Sequence, residues 1–98
     1  MTKIELLQKT IMDLHGYRSR HSGSIAVHET FEGQTAWQGV VEVFELADHP
    51  QVKFAYAWSY EADDGTTRYV AVLGISPVDS PGDAVRAYIV SQGQKKAK

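Results

Sequence analysis

Residues 52 to 60 read Val-Lys-Phe-Ala-Tyr-Ala-Trp-Ser-Tyr, with an apolar or aromatic side chain at every even position. A period of two is the mark of a strand with one strongly buried face. Val52, Phe54, Tyr56, Trp58 and Tyr60 then lie together on one side, and Lys53, Ala55, Ala57 and Ser59 on the other. A helix would scatter the first set around its axis, because residues two apart in a helix do not share a face. The stretch therefore demands a sheet, and the rest of the chain can be read around it.

Turn chemistry divides the middle of the chain into four strands. The run Ser24 to Phe31 is a first strand, and Glu32-Gly33-Gln34 is a turn into a second that runs from Thr35 to Ala47. Asp48, His49 and Pro50 end that strand, since proline cannot donate to a ladder. The alternating stretch is the third strand. Asp64-Gly65 is the dipeptide favoured where both central residues of a two-residue hairpin loop need positive φ. That loop would place Glu61 opposite Arg68, Trp58 opposite Ala71 and Tyr56 opposite Leu73. Trp37, Val41 and Val43 would join the aromatic face, leaving Val40, Phe44, Ala55, Ala57, Val70 and Val72 on the other.

Helical signals flank the strands. Thr2 followed by Glu5 is a capping box, Ile4, Leu7, Ile11 and Leu14 recur at helical spacing, and Gly16 supplies a left-handed stop. The stretch Gly16 to Ser24, rich in Gly and Ser and without a period, reads as a loop. Near the C-terminus, Ser80 is an N-cap, Pro81 suits the first helical position, and Ala84, Val85, Tyr88 and Ile89 form a stripe that Gly93 ends. The expected fold is α+β: a four-stranded antiparallel meander with an N-terminal and a C-terminal helix packed on one face. Residues 1–93 form the domain and residues 94–98 a disordered basic tail.

Composition narrows the functional classes. A chain of 98 residues forms one domain, and 43% hydrophobic with 22% charged residues is ordinary for a globular protein. The formal charge of −2 and scattered basic residues argue against a polyanion binder. Absence of cysteine removes disulfides, thiolate metal ligands and a cysteine nucleophile together. Nothing resembles a membrane span or a signal-peptide core, which points to the cytoplasm. The four histidines lack close metal-ligand spacing, and no phosphate loop or nucleophile elbow occurs, so neither a cofactor nor an enzyme is expected.

The segments Glu29 to Leu46, Tyr56 to Gly65 and Arg68 to Val90 resemble a group of small uncharacterised bacterial proteins, over nearly the whole chain. That resemblance implies a bacterial cytosolic domain and carries no catalytic motif. The order helix, meander, helix is similar to the double-stranded-RNA-binding fold, which has three strands between its helices. In that family a basic KKxAK-type run opens the second helix and grips phosphates. Here Lys95-Lys96-Ala97-Lys98 follows the second helix and Ser80 to Arg86 stands where the run belongs, so RNA binding is not implied.

Two functional expectations follow. With both helices on the aromatic face, Val40, Phe44, Ala55, Ala57, Val70 and Val72 would be left exposed, an apolar area that a homodimer or another protein partner would cover. The alternative is a small-ligand or anion-binding protein that uses Arg18, Arg20 and His21 of the Arg/His/Ser loop 17–24 together with Arg86.

Overall fold

The computed structural model describes residues 2–75 and 78–96. Helix α1 (Lys3–His15) is followed by strands β1 (Ser19–Phe31), β2 (Gln34–Leu46), β3 (Phe54–Glu61) and β4 (Thr67–Leu73), and then by helix α2 (Pro81–Lys96). The strands form one antiparallel sheet in chain order. The α+β class and the element order are those expected from the sequence.

Helix α1 begins and ends as its sequence dictates. The Thr2 N–H donates to Glu5 Oε1 at 3.0 Å, and the Glu5 N–H donates to Thr2 Oγ1 at 3.2 Å, completing the capping box. Hydrogen bonding from Thr2, its backbone N–H first and then its side chain, lowers the Glu5 carboxyl from its ordinary value. Gly16, at φ 80°, closes the helix by donating its N–H to the Met12 carbonyl at 2.9 Å. Ser80 Oγ accepts from the Asp83 N–H at 3.1 Å and opens α2. Helix α2 then passes through Gly93 to Lys96, beyond the expected stop. Glycine costs a helix only about 1 kcal/mol relative to alanine, which is a discouragement, not a block. Of the tail expected to be disordered, Gln94 to Lys96 are helical, and Ala97 and Lys98 lie outside the described residues.

The first hairpin is longer than its sequence suggested. Glu32 and Gly33 have φ of 53° and 77°, the pair of positive values that a two-residue type I′ loop requires. Pairing continues from Phe31↔Gln34 down to Ser19↔Leu46, so residues 19–24 are strand where a loop was expected. Register shifts lie between His21 and Gly23 and between Glu29 and Thr30. β3 pairs with β2 only from Glu42↔Ala57 to Glu45↔Phe54, so Gln34 to Val41 pair with β1 alone and extend as a two-stranded ribbon.

The second hairpin departs from expectation by one residue. Its loop is Asp63-Asp64-Gly65, closed by Gly65 N–H to Ala62 O at 2.9 Å and Ala62 N–H to Thr66 O at 2.8 Å, with Gly65 at φ 83°. This is the three-residue arrangement with a left-handed glycine, favoured here because Asp64 Oδ1 also accepts from the Thr66 N–H and hydroxyl at 3.0 and 2.6 Å. Glu61 consequently pairs with Thr67, Tyr60 with Arg68, Trp58 with Val70 and Tyr56 with Val72. Because side chains alternate, that single residue exchanges the faces of all of β4.

The helices lie on opposite faces of the sheet. Leu7 and Ile11 of α1 pack on Phe44, Ala55, Ala57 and Ala71, with Ile4, Leu46 and Leu73 at the margin. Ala84 and Val85 of α2 pack on Val27, Val41, Tyr56 and Trp58, with Trp37, Val43, Val70, Val72, Tyr88 and Ile89 around them. The expectation of both helices on the aromatic face is therefore corrected: the alanine face also holds Phe44 and Leu73, apolar enough to need a helix of its own.

Candidate functional site

The covering helices are short compared with the strands beneath them. A 13-residue helix spans about 20 Å and a 13-residue strand about 43 Å. α1 reaches the Phe44 end of the first hairpin and leaves the ribbon end uncovered on that face. There the Ala26↔Val40 and His28↔Gln38 rungs border a depression of about 270 Å³. Val40 is 45% exposed, and His28 Nε2 lies 2.8 Å from Thr35 Oγ1.

A polar cluster stands where the covered and open parts meet. Glu42 is buried, and its Oε1 takes hydrogen bonds from the Ser24 hydroxyl and from His21 Nε2, the latter at 2.8 Å. Strict alternation would send His21 and Ser24 to opposite faces; the register shift between His21 and Gly23 brings both to Glu42. The His21 ring leans on Phe44 with centroids 5.4 Å apart. These contacts supply the hydrogen bonds without which a buried carboxylate is costly. Their order defines what the cluster can do. A serine relay needs the imidazole between hydroxyl and carboxylate, whereas here the carboxylate lies between the other two. The cluster fastens β1 to β2 across the bulge.

Of the six residues expected to form an interface, five are not available. Phe44, Ala55 and Ala57 are fully buried beneath α1. Val70 and Val72 belong to the opposite face, carried there by the three-residue loop, and pack in the cluster beneath α2. Val40 alone remains on the surface of the α1 side, in the uncovered ribbon.

The three arginines and the histidine expected to converge do not. Arg18 pairs with Asp48 at 3.4 Å and Arg20 with Glu45 at 2.6 Å, and both border a depression of about 520 Å³ with Ser19, Leu46 and Ala47. His21 turns to Glu42. Arg86, on α2, pairs with Glu29 at 3.1 Å and Asp83 at 2.6 Å. Each is matched by a carboxylate, and they occupy separate parts of the molecule. Among the described residues no three His, Asp or Glu side chains converge as metal ligands do.

The most distinctive free surface is the outer edge of β1. β1 has a strand on one side only, and between its two register shifts Gly23 to Glu29 pair regularly with Val43 to Trp37 of β2. This seven-residue stretch contains no Lys, Arg or Pro, the residues that usually blunt an edge, and Ile25 within it is 46% exposed. The other edge, β4, is only seven residues long in all and carries Arg68. Sequence reading missed this edge because residues 19–24 lack a period. It also missed Glu42 as a buried acid, although an acid in one alternating row with Val40 and Phe44 is a legible sign.

No protein-family model, no curated protein and no solved structure matches this chain. Among the described residues no helix is long and apolar enough to cross a membrane.

Proposed function

We propose that the protein is a protein-interaction module that accepts an added strand along the outer edge of β1, flanked by the uncovered ribbon around Val40. The observation that carries this reading is the 13-residue outer strand with a regular centre free of Lys, Arg and Pro and a partner on one side only. Strand addition draws its affinity from main-chain hydrogen bonds and its selectivity from alternate side chains, and it needs no catalytic group. Ile25, on the α2 face of that edge, and Val40, on the α1 face of the neighbouring strand, supply exposed apolar side chains near it.

The test is an array of labelled nine-residue extended peptides, including one with the chain's own residues 22–30, titrated against dilute protein by fluorescence polarisation. Binding that disappears in Ala26→Pro, whose N–H faces away from β2, with circular dichroism confirming that the variant is folded, supports the reading. Absence of binding across the array, or binding unchanged in Ala26→Pro, overturns it. Val40→Lys should weaken the same binding without altering the fold, because that side chain is not part of either packed cluster.

A further inference from the structure

Charge is unevenly spread along β1. Arg18 just before it and Arg20 and His21 within it mark its N-terminal end, its C-terminal end and loop carry Glu29 and Glu32, and the stretch from Ser22 to His28 has no Asp, Glu, Lys or Arg. A strand polarised in this way discriminates between directions. Parallel addition of an identical strand would set basic end beside basic end and acidic beside acidic; antiparallel addition sets each against its opposite.

The midpoint between the two charged ends falls at Ile25. Pairing residues that sum to 50 puts Ile25 against its own copy and brings the Arg18–His21 end alongside the Glu29–Glu32 end, with Arg18 facing Glu32. Ile25 is an exposed large apolar side chain of β1, so the position where the charges are balanced also has an apolar group to bury.

We infer that the occupant of the β1 edge is a second copy of this chain, added antiparallel about a twofold axis at Ile25, so that two four-stranded sheets become one of eight strands. This rests on the strand-addition reading above. The twofold runs perpendicular to the sheet, so both α1 helices lie on one side of the joined sheet and both α2 helices on the other. The contact is isologous and closes on itself, using up the two β1 edges and leaving the short β4 edges outermost. The surface pairs Arg18–Asp48 and Arg20–Glu45 are exposed and exchangeable, so the guanidinium groups can also serve Glu32 of the partner subunit, while Glu29 stays paired with Arg86.

The chain has no cysteine, so an introduced thiol is its only one. Single-cysteine variants Ile25→Cys, Arg18→Cys, Glu32→Cys and Thr67→Cys are treated with a short bis-maleimide, alone and in mixtures, and the mass of the wild type is followed by light scattering over a concentration series. The expected result is a wild-type dimer in which Ile25→Cys links to itself. Arg18→Cys then links to Glu32→Cys in the mixture but not to itself, because the two Arg18 positions lie about 45 Å apart in this register. Self-linking of Arg18→Cys, or linking only through Thr67→Cys on β4, overturns the inference. So does a wild type that stays monomeric while β1 still binds a peptide from the array, an outcome that leaves the interaction reading standing. Failure of both experiments removes both readings.

Discussion

The two faces of the sheet solve the same packing problem with opposite allocations of bulk. Under α1 the sheet offers small side chains, Ala55, Ala57 and Ala71, and the helix brings the large ones, Leu7 and Ile11. Under α2 the sheet offers Tyr56 and Trp58, with Trp37 beside them, and the helix presents Ala84 and Val85 at the contact. Helix and sheet must interdigitate at near-crystalline density, so the summed volume at each interface is constrained while its division is not. The consequence is that each face is vulnerable on a different element.

Removing bulk should separate them most clearly. Trp58→Ala takes away the ring that Trp37 and Tyr88 contact edge-on at 5.7 and 5.6 Å, and should lower stability by about 3–5 kcal/mol in urea unfolding. Leu7→Ala should lower it by about 2–5 kcal/mol, with the loss arising on the helix rather than the sheet. Trp58→Phe should cost less than Trp58→Ala: Trp58 Nε1 is buried without a hydrogen-bond partner among the described residues, so the replacement sacrifices volume and no hydrogen bond. If Trp58→Ala proves nearly neutral, the α2 face is not packed as described.

Adding bulk should come next. Ala57→Leu and Ala84→Leu each insert methyl groups where one element was kept small, on the sheet in the first case and on the helix in the second. Each should destabilise by about 1–3 kcal/mol. Both residues are fully buried, so a neutral outcome at either would show that its helix can stand further from the sheet than the contacts indicate.

The smallest effect is a difference in alkaline titration. On the α2 face the Tyr88 phenol is pushed up from its ordinary 10.0 to about 12, first by burial and then by the hydrogen bond it donates to Tyr60 Oη at 3.0 Å. Burial also raises the Tyr56 phenol, reinforced by Asp79 and Asp83 near the start of α2. A phenol whose folded value is raised contributes stability that is complete below its unfolded value near 10 and is lost as pH rises through about 12. Phenolate absorbance should therefore show a late-titrating group, and Tyr60→Phe should bring its midpoint down. A midpoint unmoved by Tyr60→Phe would mean that the hydroxyl contact does not govern the titration.

How much was legible can be judged residue by residue. Thr2, Glu5 and Gly16 act as read because a helix cap is completed within a few neighbouring residues. Glu32-Gly33 turns as read for the same reason, since positive φ is a local demand. Asp64-Gly65 was recognised as a turn, but choosing between a two- and a three-residue loop depends on a difference of one residue that both sequences of contacts can satisfy locally. The chosen loop carried Val70 and Val72 away from Ala55 and Ala57, and the expected interface went with them. The bulge after His21 is a similar case: neither Ser22 nor Gly23 announces it, yet it decides that His21 and Ser24 both meet Glu42.

By itself, then, the sequence determined the element types, their order, the helix caps and the sorting of β2 and β3 side chains into an aromatic and an alanine row. All of these follow from period, from cap chemistry and from turn residues, which act over a few positions. Which helix covers which row, which face β4 joins and which edge stays open were decided only in the tertiary structure. Those choices depend on filling two interfaces at once, and volume must be matched between Leu7 and Ala57, or between Trp58 and Ala84, across separations that no local signal spans.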